Sequence, residues 1–167
     1  MNELDAFTNK LFLFISKAMV QELRRQGHVL TGKLIESFDY EVRQQVDTIS
    51  IDFLMLKYGR SLNDGIPPER IPYSPDGRRG GKSKYIQGLI QFALLKFTAD
   101  KKEATSIAFA IARKHKKEGY PLTKKLRFID ISLEAKDKEI QDIIADYIEL
   151  TIEKIINQYL TFINGNI

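Results

Sequence analysis

The sequence predicts an α+β fold: a small antiparallel β-sheet packed against long N- and C-terminal helices, with an extended Pro/Gly-rich basic loop. Three observations carry this. Apolar residues recur at helical spacing over both ends of the 167-residue chain, they alternate with polar ones between residues 38 and 58, and a stretch dense in proline and glycine follows. The length suits one domain with one core, taken as 1–167 with the long loop 59–82 inside it.

Residues 3–26 read as an amphipathic helix on Leu4, Phe7, Leu11, Phe14, Ile15, Ala18, Met19 and Leu23, with Gly27 as its stop. At about 1.5 Å per residue this is a rod of about 36 Å. Thr31–Ser37 has room for one or two helical turns, with Thr31 as N-cap. Phe38, Tyr40 and Val42 then alternate with charged residues as a half-buried strand. Past a turn near Gln45–Asp47, Thr48–Tyr58 reads as its hairpin partner, with Leu54, Leu56 and Tyr58 covered at its end. Residues 59–82 hold four of the five prolines and five of the ten glycines, which predicts a long loop, and Ile66, Ile71 and Tyr73 give that loop something to dock with.

The helical period returns at Ser83, with a stripe of Ile86, Leu89, Ile90, Ala93, Leu94 and Phe97. Asp100 and Glu103 have capping-box spacing before a second helix lined by Ala104, Ile107, Ala108, Ile111 and Ala112, which Gly119 and Pro121 end. Arg127–Ser132 is either a short strand or the entry to the last helix. The pattern over 134–163 is the plainest of all, a stripe through Ile140, Ile143, Ile144, Tyr147, Ile148, Ile152, Ile155, Ile156, Tyr159, Leu160 and Ile163.

Composition bounds the chemistry. With no cysteine and two histidines (His28 and His115, neither at ligand spacing), thiol nucleophiles, Cys-type zinc sites and histidine metal pairs have little material, and no catalytic residue, cofactor or metal site is predicted. The acids Asp130, Glu134, Asp137 and Glu139 sit where helix starts favour them. No apolar run approaches the ~18 residues of a membrane span, and MNELDAFTNKLF carries acids where a secretory signal needs bases, so neither membrane nor secretion is expected. GRRGGKS at 77–83 invites a phosphate-binding reading, but three residues separate Gly77 and Gly81 where that motif needs four, and no buried strand precedes it.

Charge is the stronger signal. The net +4 divides into −2 over residues 1–77, +11 over 78–127 and −5 over 128–167. A basic middle of this kind can face a polyanion, face the acidic end of a neighbouring copy, or lie solvated. The candidate contacts to partner or DNA are Arg78, Arg79, Lys82, Lys84, Arg113, Lys114, Lys116 and Lys117.

A long first helix, then Thr31-Gly32-Lys33-Leu34-Ile35-Glu36-Ser37, then a hairpin closing on Tyr58-Gly59, resembles the tail-completion (head–tail joining, or neck) proteins of tailed bacteriophages, in which a T-G-x-L-x-x-S segment links the N-terminal helix to the sheet. The second half is similar too, with a helix ending in a basic stretch and Gly119, a short Arg127–Asp130 segment, and a long closing helix. Arg60–Phe97 departs from the family in its prolines, basic glycines and extra helix. The resemblance implies a non-catalytic structural virion protein, assembled in the host bacterial cytoplasm as a homo-oligomeric ring between the capsid portal and the tail, and in contact with other neck, portal or tail proteins. Its basic segment would meet either a neighbour or, without sequence preference, DNA in the channel. The competing expectation is a sequence-nonspecific nucleic-acid-binding module using residues 78–127.

Overall fold

The computed structural model describes all residues except 1, 29–30, 46–47, 75–82, 121–125 and 165–167. The fold class is α+β, with seven helices and one two-stranded antiparallel hairpin among the described residues. Internal packing divides the chain into two compact units, Met1–Leu56 with Phe128–Ile167, and the inserted Lys57–Arg127.

In the first unit, α1 (Glu3–Arg25) starts on a reciprocal capping box between Asn2 and Asp5. It ends in a Schellman pair, with the amides of His28 and Gly27 donating to the carbonyls of Leu23 and Arg24. Near that end Glu22 is buried, a poor place for a carboxylate at the negative pole of a helix. The Arg25 guanidinium forks onto it at 2.6 and 2.7 Å and holds it below the usual carboxylate range.

The T-G-x-L-x-x-S segment is a structural lock. Gly32, not Thr31, precedes the single turn α2 (Lys33–Glu36), and it does so at φ +73°, which a threonine at that position would adopt only with strain. Leu34 is buried. The Ser37 hydroxyl donates to the Leu34 carbonyl and accepts from the Leu56 amide, fastening the turn to the far end of the hairpin. The hairpin itself is β1 (Asp39–Gln44) and β2 (Ile49–Leu54), in register Asp39↔Leu54 through Gln44↔Ile49. Its cross-strand pair Tyr40 and Phe53 receives Phe12 of α1 at 4.7 and 5.3 Å between ring centroids. β2 stops at Leu54, so the expected extension to Tyr58 does not form, and Leu54, Leu56 and Tyr58 are exposed.

Arg127–Ser132 resolves as helix: α6 (Phe128–Ala135) packs on α1, with Phe128 fully buried and Leu11, Ile15, Met19 and Leu23 forming the opposing core. A break at Lys136 separates it from α7 (Asp137–Asn164), which therefore starts later than the sequence pattern suggests.

In the second unit, the expected loop over 59–82 is helical at its start. α3 (Lys57–Asp64) buries Gly59, Leu62 and Asn63, and Pro68–Arg70 forms a 3-10 turn. Its anchors dock on the unit's own α5 (Lys101–Glu118) and the residues after it. Ile66 forms a two-bond bridge with Tyr120, Ile71 is buried, and Tyr73 lies against Phe109. α4 (Lys84–Lys96) is capped by Ser83. α4 and α5 make a helical pair whose buried face is largely alanine (Ala93, Ala104, Ala108 and Ala112), small enough for close approach. Asp100 caps α5 as its spacing predicts. The Glu103 carboxylate, however, accepts from Thr98, whose hydroxyl in turn accepts from the Asp100 amide.

Gly119 closes α5 at φ +84°, ψ −174°, a region open essentially to glycine alone, and a Cβ there would lie 2.8 Å from the Ile66 carbonyl oxygen. Gly119→Ala is therefore expected to cost about 1–3 kcal/mol. Gly88→Ala, mid-helix with nothing within 4 Å, is expected to gain about 0.5–1 kcal/mol. Urea denaturation of both variants followed by circular dichroism checks the pair.

Candidate functional site

Two surfaces, one on each unit, carry features that the fold does not use up. The first is α7. None of its 28 residues is buried. It runs antiparallel to the first turns of α1: Phe7 stacks on Tyr147 at 4.1 Å, Lys154 reaches Glu3 at 2.9 Å and Lys10 reaches Asp146 at 3.8 Å. This register carries its last turns past the start of α1.

The sequence-derived stripe divides: Ile143 and Tyr147 border a groove with α1, whereas at ~100° per residue Ile148, Ile152, Ile155 and Tyr159 lie on the order of 130° around the helix from that face. This second face is open to water along its length. Ile148, Ile152, Ile155, Ile156 and Ile163 are about half exposed, Tyr159 is 67% exposed and Phe162 71%. Phe162 and Leu150 are missing from the sequence-derived stripe, although Phe162 could have been found by carrying the spacing three residues beyond Tyr159. Between α1 and α7 lies an open groove bordered by Glu3, Phe7, Lys10, Tyr147, Thr151 and Lys154.

The second surface is basic. Lys57–Arg127 holds 17 basic and 6 acidic side chains, a net +11, against −7 for the remainder of the chain. Of the sequence-predicted contacts, Arg113, Lys114 and Lys117 are exposed together on the last turns of α5, and Lys84 is exposed in the first turn of α4. Lys116 departs from the expectation. It points to the other side of α5, half-buried, and its Nζ donates to the Ile71 carbonyl at 3.4 Å, so it clips the inserted segment. Arg78, Arg79 and Lys82 lie outside the described residues. At the end of α4, Leu94, Leu95 and Phe97 are exposed, although the sequence pattern placed Leu94 and Phe97 on the helix's apolar stripe.

His115 is structural. It is buried, with the Tyr85 hydroxyl 2.7 Å from its Nδ1 and the Tyr120 ring centroid 4.9 Å from its own. Burial holds its pKa below the usual 6.5 and pushes the Tyr85 phenol up to about 12, so a protonated phenol and a neutral imidazole share the hydrogen bond. Among the described residues no group of three or more His, Asp or Glu side chains is placed to hold a metal ion, and no helix is long and apolar enough to cross a membrane.

Because the folded chain resists protonation at His115 while the unfolded chain does not, the unfolded state binds more protons below about pH 6.5, and stability falls as pH drops through that window. His115→Gln, whose amide can donate to or accept from Tyr85, is expected to flatten this limb of the stability profile between about pH 7 and about pH 5. Urea midpoints measured across that range decide it.

No protein-family model, no curated protein and no solved structure matches this chain.

Proposed function

We propose that this chain is a structural protein of the tailed-bacteriophage neck, assembling as a ring that connects the capsid portal to the tail and residing in the virion. The observation that carries the reading is α7, a 28-residue helix with no buried residue and an apolar stripe turned to water. A surface of that kind suits a building block whose remaining burial comes from other chains. The T-G-x-L-x-x-S segment adds support, since Gly32, Leu34 and Ser37 each have a defined task in joining the first helix to the hairpin. The opposite charges of the two units suit a heterologous contact, in which the basic unit of one copy meets the acidic one of the next.

A second reading, nonspecific nucleic-acid binding, is favoured by the exposed trio Arg113, Lys114 and Lys117 within a unit of net +11. The two differ in what they predict. Electron microscopy of the purified protein, alone and with portal or tail components, is expected to show closed rings of uniform diameter. The nucleic-acid reading instead predicts a gel shift of random-sequence DNA whose affinity falls about 10³-fold or more between about 50 and 200 mM salt. Triple substitution of Arg113, Lys114 and Lys117 by Glu would abolish that shift.

A further inference from the structure

We propose that α7 is the self-association element of this protein: Ile148, Ile152, Ile155, Tyr159 and Phe162 of one copy pack against the same seam of neighbouring copies in a parallel, cyclic bundle of three or more chains. The inference deepens the assembly reading above and rests on it for the statement that the partner is another copy.

The spacing of these five residues is four, three, four and three, the alternation of a coiled-coil seam in which Ile148, Ile155 and Phe162 hold one core position and Ile152 and Tyr159 the other. Isoleucine at both core positions favours three or more strands over two. Ile144, Ile156 and Ile163 flank the seam and widen the apolar face beyond the two positions a dimer covers.

The area is sufficient. At roughly 200 Å² for a large side chain, the exposure of these eight residues, from 36% at Ile144 to 71% at Phe162, leaves on the order of 800 Å² in water, the amount one partner contributes to a standard stable interface. Charge points to a like partner. Ile155–Asn164 carries no Asp, Glu, Lys, Arg or His, so identical tips meet without repulsion, and no charge pattern there selects a different protein. A membrane surface is the poorer occupant, because the polar face of α7 is acidic, with Asp142, Asp146, Glu149 and Glu153 outnumbering its lysines, whereas interfacial helices present lysine and arginine to anionic lipid.

The test combines light scattering after size exclusion with a single-cysteine cross-link. The chain has no cysteine, so Phe162→Cys introduces the only thiol. Wild type at micromolar concentration is expected to run as an assembly of three or more copies. The double variant Ile152→Glu/Tyr159→Glu is expected to run at monomer mass with unchanged helical circular dichroism, since both side chains are exposed in the single chain. Glu153→Gln, off the seam, should remain assembled. Under mild oxidation Phe162→Cys should form a covalent dimer, and adding the double substitution should abolish it.

Assembly that survives the double substitution would overturn the role of α7 while leaving a ring built on another surface intact. Assembly without the cross-link would overturn the parallel arrangement proposed here. A wild type that stays monomeric would overturn the inference outright, and microscopy with portal or tail components would then decide the ring reading separately.

Discussion

The burial of apolar helix faces is the interaction on which this structure turns, and the first unit satisfies it for α1 but not for α7. Leu11, Ile15, Met19 and Leu23 of α1 are closed off with Phe128 of α6, and Phe12 is taken by Tyr40 and Phe53 of the hairpin. Only the first turns of α1 remain for α7. Among the described residues they offer a ring stack and two ion pairs between exposed side chains, and such pairs contribute about 0–1 kcal/mol each. A 28-residue helix held this lightly keeps its apolar stripe in water, and that surplus is the physical basis of the assembly reading.

The second constraint is electrostatic. Positive charge is concentrated in Lys57–Arg127, and negative charge in the rest of the chain. Charges of this kind guide encounter and orientation more than they add affinity, and salt screens them over about 8 Å at physiological ionic strength. In the proposed assembly this would divide the labour, the neutral tip of α7 supplying apolar contact and the basic unit selecting the polyanionic or acidic surface it meets. Within the basic unit, Lys116 donates to the Ile71 carbonyl of its own chain.

Much of the fold was legible in the sequence because long helices advertise themselves by periodicity. α1, α4 and α5 fall within a residue or two of their expected bounds, and Asp100 caps α5 where its spacing indicates. What was illegible depended on contacts distant in sequence. α3 contains Gly59, Asn63 and Asp64, poor helix formers that no local pattern would nominate; it is helical because Gly59, Leu62 and Asn63 are buried in its unit. Likewise the strand pattern overran β2, since Leu56 and Tyr58 continue the alternation without a partner strand opposite them. At the candidate site, the apolar positions of α7 could be read from spacing alone, but not that Ile143 and Tyr147 turn to α1 while Ile148, Ile152, Ile155 and Tyr159 face away, because periodicity says which residues recur and not what covers them.

Amide hydrogen exchange along α7, measured over a range of protein concentrations, tests the central claim most directly. If neighbouring copies cover the stripe, protection of residues 155–163 rises steeply with concentration while that of the α1 core stays constant. Exchange in this segment that is independent of concentration, whether fast or slow, would contradict the account.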